Sequence, residues 1–122
     1  MSRAFRSDSK ITQQKQYRSV FAAHVSIVSR YFVLYHLHND CGFPRLGIIT
    51  SKRVVHGAIG RNRLKRIIRE NFRLLQDQLP LVDCVIIARQ RAASTDKAEL
   101  HSCLKDLFKN LTQHYEASAS SC

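Results

Sequence analysis

The sequence has no tryptophan, only two prolines and four glycines, and just nine acidic residues among 122. So little proline and glycine, beside 44% hydrophobic residues, excludes a low-complexity or disordered chain. The longest apolar runs, residues 31–35 and 84–88, are too short to cross a bilayer, which excludes a transmembrane helix. Residues 3–15 are polar and basic and lack the apolar core of a signal peptide. The length fits one domain with a modest core.

The four cysteines show no C-x-x-C spacing, and no histidine pair stands at zinc-finger distance from such a pair. The sequence therefore predicts no structural zinc site and a reduced, cytoplasmic environment. Cys84 lies in an apolar, strand-like run and Cys103 on an apolar helical stripe, so both are expected to be buried. His36 and His38 are expected to be exposed on a strand, and whether they contact RNA stays open.

Positive charge is what the sequence has in excess, with 20 Lys and Arg and a formal net charge of +11. Residues 52–73 hold eight basic residues and one acidic residue. Residues 1–51 hold seven basic and two acidic residues, and residues 74–122 hold five basic and six acidic residues. A solvated helix face usually mixes both signs. The concentration of charge therefore predicts a surface that binds a polyanion, with nucleic acid as the first candidate.

Hydrophobic periodicity predicts seven elements, which together indicate an α/β sandwich with helices packed on a small sheet. A turn signal over residues 39–42 predicts that the second and third strands form an antiparallel hairpin. Asp96 and Glu99 have capping-box spacing at the start of the last helix. The predicted elements are a helix over 10–23, strands over 25–28, 31–38 and 45–51, a helix after Gly57 and Gly60 that ends before Pro80, a strand over 82–88, and a last helix with the apolar stripe Leu100, Cys103, Leu104, Leu107, Phe108 and Leu111.

The second helix is the best-defined element, because its apolar and basic residues separate on a helical wheel. The planar fork of arginine suits bidentate contact with phosphate. The apolar side carries Leu64, Ile67, Ile68, Phe72, Leu74 and Leu75, and the opposite side carries Asn62, Lys65, Arg66, Arg69, Glu70 and Arg73, with Arg61 and Arg63 at its edges.

This helix carries a family resemblance. Residues 51–53 read SKR, a short glycine-containing loop follows, and residues 61–73 read RNRLKRIIRENFR. The combination resembles the signature of the bacterial ribonuclease P protein subunit. The aromatic-containing first helix, YFVLY at 31–35, RLGII at 45–49 and DCVIIAR at 83–89 are also similar to that family. The resemblance covers roughly residues 10–112.

The resemblance implies a fold. We expect an α/β (α+β) two-layer sandwich, ribosomal-protein-S5-domain-2-like, in the order α-β-β-β-α-β-α with a left-handed crossover, an exception to the usual right-handed rule. A single RNA-binding domain is expected over residues 10–115. It is expected to lie between a flexible basic arm, residues 1–9, and a frayed tail, residues 116–122.

The resemblance also implies a function: the protein subunit of an endoribonuclease holoenzyme that removes the 5′ leader of precursor tRNA by hydrolysing a phosphodiester bond. The implied partners are the ribonuclease P RNA and precursor tRNA, in the bacterial cytoplasm, with no membrane and no protein partner. The catalytic centre and its magnesium are expected in the RNA. The protein is then expected to be inactive alone, with no catalytic residue, metal site or cofactor of its own.

Two sets of binding residues follow from matching this sequence to the family. Single-stranded RNA calls for aromatic stacking beside a basic groove, although aromatic residues at such spacing are also typical of a core. Arg45 is a weaker additional candidate for the leader site. The predicted contacts to the catalytic RNA are Arg61, Asn62, Arg63, Lys65, Arg66, Arg69 and Arg73. The predicted leader contacts are Tyr17, Phe21, Tyr35, Lys52 and Arg53.

Three other functions remain as alternatives. A ribosomal or other structural RNA-binding protein of related fold would share the basicity, so co-purifying RNA must distinguish it. A self-sufficient metal-dependent nuclease needs clustered carboxylates, whereas Asp8, Asp40, Glu70, Asp77 and Asp83 are scattered. A helical DNA-binding protein would read base edges, and a face of Arg and Lys favours phosphate contact instead.

Overall fold

The structure, a computed structural model, describes residues 11, 14–23, 25–40, 42–52, 55 and 57–120. The order of elements is the predicted α-β-β-β-α-β-α, and the mixed α/β class is confirmed. No helix within these ranges is long and apolar enough to span a membrane. The elements are α1 (Gln14–Ala22), β1 (Ser26–Val28), β2 (Phe32–His38), β3 (Arg45–Ile49), α2 (Ala58–Leu75), β4 (Val82–Ala88) and α3 (Lys97–Ser120), with short 3-10 turns at Gln76–Gln78 and Gln90–Ser94.

The four strands form one sheet in the order β1-β2-β4-β3. β4 pairs antiparallel with β2 and parallel with β3. The predicted hairpin of the second and third strands is therefore wrong, because β4 lies between them. All but one residue of β4 are buried, and a strand so apolar is most stable with a neighbour on each edge and cover on both faces. The β3-α2-β4 connection is a parallel crossover, and its left-handed sense stays a prediction.

The two faces of the sheet carry different cores. On β2, Phe32 and Leu34 point to the face covered by α2 and α3, which holds the larger core. Tyr35 and Leu37 alternate to the other face, where they join α1. The structure therefore separates α1 from α2 by the thickness of the sheet.

Helix α2 begins at Ala58 because Gly57 has φ 86°, a left-handed conformation that glycine adopts at little cost. Gly60, predicted to precede the helix, lies in its first turn. Leu64, Ile67, Ile68 and Phe72 are buried as predicted, and Asn71 is buried with them. Leu74 is a partial exception, since it is 54% exposed at the edge of the apolar side.

Helix α3 starts with the predicted cap, because the Glu99 backbone N–H donates to Asp96 Oδ1 at 2.9 Å. Its apolar stripe is buried apart from Cys103, which is partly exposed and lies with its Sγ 3.3 Å from Ser29 Oγ. The helix continues to Ser120, into the segment that the sequence analysis assigns to a frayed tail. The expected basic arm over residues 1–9 lies outside the described residues.

His36 is buried at 2% exposure, so the expectation of an exposed side chain is wrong for it, whereas His38 is exposed. The Nδ1 atom of His36 lies 3.0 Å from the Tyr115 hydroxyl, and the His36 ring packs edge-on against His114 with ring centroids 5.1 Å apart. The sequence does not show the burial of His36, because the exposure of a strand residue depends on which helix covers its face of the sheet. Burial, and then the charge of nearby His114, lower the pKa of His36 to about 4.

This depressed pKa predicts a loss of stability in acid. The unfolded chain binds a proton near pH 6.5 and the folded chain only near pH 4, so stability falls as the pH drops through that window. Between pH 7.5 and 5, His36 should contribute a loss of about 2 kcal/mol in the free energy of unfolding. Urea unfolding of the wild type and of His36→Gln at both pH values measures this. Equal pH dependence in the two proteins would contradict it.

Candidate nucleic-acid interface

The polar side of α2 presents a stripe of six cations and one amide, here called the basic face: Arg61, Asn62, Arg63, Lys65, Arg66, Arg69 and Arg73. Asn62, Arg66 and Arg69 are exposed, and the others are partly covered. Positions 62, 66, 69 and 73 follow helical spacing, so their side chains lie in one row along the axis. The buried residues of α2 occupy the opposite side, which fixes this row toward solvent.

Two arginines at the edges of the basic face also hold the protein together. Arg61 donates from Nη1 to the Val55 carbonyl at 3.1 Å, and Arg63 donates from Nη2 to the Thr95 carbonyl at 3.0 Å. The first bond ties α2 to the loop before it, and the second ties α2 to the turn before α3. Each guanidinium has five N–H donors, so donors remain for a phosphate.

Glu70 is the single acidic residue of α2 and borders the basic face, and a neighbour on α3 orients the residues beside it. The Asn71 amide nitrogen lies 2.6 Å from His101 Nδ1 and donates to the Ile67 carbonyl at 2.9 Å. His101 Nε2 in turn faces the Glu70 carboxylate at 4.0 Å. The chain of contacts places the acid at the α3 side of the face and leaves the outer row to cations.

Lys97 is a candidate that sequence reasoning missed. It is exposed at the start of α3 and lines a cavity of about 280 Å³ together with Arg63, Arg66, Ile67 and Glu70. Its own segment, residues 74–122, is slightly acidic, so no local signal singles it out. Only the packing of α3 against α2 brings a third cation beside the two arginines.

The aromatic leader candidates meet on the other face of the sheet. Phe21 of α1 packs edge-on against Tyr35 of β2, with ring centroids 5.0 Å apart and an angle of 81°. All three candidates belong to the core cluster on that face but keep part of their surface exposed. They are thus half core and half surface, which is compatible with both readings of the sequence.

Tyr17 packs close to the backbone of β3. A Cβ placed on Gly47 would lie 2.8 Å from Tyr17 Cε1, so glycine is needed there to let the ring approach. Burial raises the pKa of Tyr17, and a hydrogen bond from the Ile48 backbone opposes that shift. The ring is therefore anchored at its tip against the strand.

The basic leader candidates are less well placed. Lys52 is exposed just after β3, and Arg53 lies outside the described residues. Arg45, the additional candidate, is engaged elsewhere. Its Nε and Nη2 donate to the Asp83 carboxylate at 2.6 and 2.5 Å, and the Asn39 amide donates to the same carboxylate at 2.8 Å. This buried group joins β3, β4 and the end of β2, so Arg45 serves the fold first.

No three His, Cys, Asp or Glu side chains lie close enough to hold a metal ion in the part of the chain that the structure describes. Cys84 and Cys103 are free thiols, and burial raises the pKa of the Cys84 thiol. The conspicuous features of the described surface are a cationic helix and an aromatic sheet face. Together they are typical of the class of small α/β proteins that bind RNA.

Comparison with known proteins narrows this class. The family model described as Ribonuclease P matches residues 5–112. A relative from Coxiella burnetii, named Ribonuclease P protein component, is 34% identical over 120 residues, which cover 98% of this chain and 99% of the relative. A protein of the same name from Chromohalobacter salexigens is 44% identical over 73 residues, covering 60% and 57%. The chain belongs to the bacterial ribonuclease P protein family.

Solved structures agree with the fold. The Staphylococcus aureus RNase P protein superposes with a TM-score of 0.77 at 30% identity, covering 83% of this chain and 93% of that one. The RNase P protein from Thermotoga maritima gives 0.74 at 27% identity, covering 83% and 96%. The family expected from residues 51–73 is thus confirmed over nearly the whole chain.

Proposed function

We propose that this chain binds the RNA of ribonuclease P through the basic face of α2 and the 5′ leader of precursor tRNA through the aromatic face of the sheet. Membership of the family makes it a subunit of an endoribonuclease in tRNA processing. The observation that carries the finer assignment is the row of Asn62, Arg66, Arg69 and Arg73, which lies along one side of a well-packed helix with its first three side chains exposed. A second surface, on the opposite side of the sheet, is then available for substrate.

The basic face suits a folded RNA. Phosphate contacts supply most of the affinity of proteins for nucleic acid, through release of condensed counterions. A rigid helix holds the backbones of Arg66 and Arg69 at a fixed separation, and the planar guanidinium loses comparatively little rotamer entropy per hydrogen bond to a phosphate. Exposed Asn62 both donates and accepts hydrogen bonds, which suits a 2′-hydroxyl.

The aromatic face suits an extended strand. A leader is single-stranded, and its bases can stack on the faces of aromatic rings while nearby cations meet its phosphates. Phe21 and Tyr35 form a preassembled aromatic pair, and Lys52 supplies an exposed cation at the end of β3. These side chains keep their positions through core contacts, so binding requires little reordering.

Within this proposal the protein binds and positions, and the phosphodiester bond is cleaved at magnesium ions held by the RNA. The chain would act in the bacterial cytoplasm, with no metal or cofactor of its own. Its contribution to rate is then the correct placement of the leader and tighter binding of precursor tRNA, a proximity effect.

Reconstitution tests the proposal. Full-length protein, a bacterial ribonuclease P RNA and precursor tRNA with a labelled 5′ leader are mixed in all combinations at low magnesium. We expect RNA plus protein to release the leader faster than RNA alone, and protein alone to release none. Specific 5′ cleavage by protein alone would contradict the placement of the catalytic centre. Failure to bind or stimulate this RNA, with ribosomal RNA co-purifying instead, would favour the structural RNA-binding alternative.

A further inference from the structure

Ile59 lies in the first turn of α2 and is 88% exposed, more than any other large hydrophobic side chain in the described ranges. The next most exposed are Val28 at 65% and Leu74 at 54%. An isoleucine so far from the core adds nothing to the packing of the fold. As a β-branched residue it also favours a helix less than alanine would.

The position of Ile59 on the helix is informative. It precedes Arg63 by four residues and Arg66 by seven, so it lies on the same side of α2 as these two arginines. Around the helix axis it is about 20° from Arg66 and about 40° from Arg63. The buried residues of α2, such as Leu64 and Ile68, occupy the other side. Ile59 is therefore an apolar side chain at one end of the basic face.

We propose that Ile59 packs against a nucleoside, a base or its ribose, of the RNA whose phosphates Arg63 and Arg66 bind. This inference rests on the proposed function. Nucleic acids offer apolar surface only on bases and sugars, and these lie beside the phosphates that the arginines contact. The contact would add affinity that does not depend on charge, because burying apolar surface releases no counterions.

Charge decides among the possible occupants. A second copy of this chain would bring the same cations against the same surface, which repels. A membrane-inserting role would need more than one exposed apolar residue on the face. An RNA offers phosphates to the cations and the apolar surface of a base or ribose to Ile59.

The test is the affinity of full-length Ile59→Ala for a bacterial ribonuclease P RNA across a range of salt. We expect the dissociation constant to rise about 5- to 20-fold, as partial burial of the lost carbons predicts. The slope of log K against log salt should stay that of the wild type. Arg66→Ala should instead lower that slope by about 0.7–0.9. Ile59→Leu should keep most of the affinity.

The controls separate this inference from the fold and from the proposed function. Val28→Ala removes an exposed aliphatic side chain on β1 and should leave RNA affinity unchanged. Ile59→Ala should melt no lower than the wild type, because the side chain is exposed and alanine favours a helix.

Wild-type affinity in Ile59→Ala would overturn this inference and leave the proposed function standing. If the wild type itself fails to bind the RNA, both the inference about Ile59 and the proposed function are wrong. A dimer in the wild type that Ile59→Ala dissolves would assign the residue to a protein contact instead.

Discussion

Replacing Arg66 and Arg69 together by alanine is expected to weaken binding of ribonuclease P RNA by about 150-fold or more, since each charged hydrogen bond contributes about 1.5–3 kcal/mol and the pair together at least about 3 kcal/mol. The slope of log K against log salt should fall by about 1.4–1.8, which is about 0.7–0.9 for each lost phosphate contact. Both side chains are exposed on the outer row of α2. The substitution therefore tests the basic face without disturbing the core.

Arg63 is a poorer choice for this test, because its guanidinium also donates to the Thr95 carbonyl. Its loss would loosen the contact between α2 and the start of α3, so reduced affinity would have two explanations. The matched control is Lys105→Ala with Lys109→Ala. That pair removes the same charge from an exposed face of α3, where both line a groove with the end of α2. Equal losses in the two double variants would mean that net charge, not the basic face, governs binding.

The sequence predicted best where the signal is local. The separation of apolar and basic residues within α2 depends on spacing along one helix, and the structure has the same separation. The bounds of β4, Val82–Ala88, match because a mostly apolar segment, interrupted only by Asp83, lies between Pro80 and a polar segment. The cap at Asp96 also follows from spacing alone. In each case the residues that decide the structure are neighbours in the chain.

Strand order and burial of individual polar residues depend on distant partners, and there the predictions failed. The turn at residues 39–42 joins β2 to β3, but nothing local shows that β4 inserts between them. Arg45 stays a prediction for RNA contact, but its ion pair with Asp83 has no local signal, because the two residues are 38 positions apart in the chain. The burial of His36 could not be read from the local sequence, because Tyr115, which contacts its ring, is 79 residues away in the chain.

The two predicted sites differ in how far structure supports them. The basic face needs only exposure and alignment, and α2 provides both. The leader site needs aromatic surface that the core does not use, and Phe21 and Tyr35 are shared between the two. A half-buried ring can both pack in the core and stack on a base. An informative substitution must therefore keep the core packing while it removes the surface for stacking.

Phe21→Leu does this, and we expect it to weaken precursor tRNA binding by the holoenzyme about 5- to 30-fold while leaving mature tRNA binding unchanged. Stacking contributes about 1–3 kcal/mol per base, and leucine has no aromatic face to offer. Leucine keeps apolar volume, so the loss of stability should stay below about 1.5 kcal/mol. Binding of both tRNAs to holoenzyme, measured beside thermal unfolding of the free protein, gives the two quantities separately.

The control for Phe21→Leu lies on the other face of the sheet. Phe72→Leu alters a fully buried ring that packs edge-on against Phe108, 6.2 Å between centroids. It should lower stability at least as much, because the site is fully enclosed, yet leave the ratio of precursor to mature affinity as in the wild type. If Phe21→Leu instead weakens both tRNAs equally and melts earlier, Phe21 serves the core alone. The assignment of the leader to the α1 face of the sheet would then fail, because it depends on the aromatic surface formed by Phe21 and Tyr35.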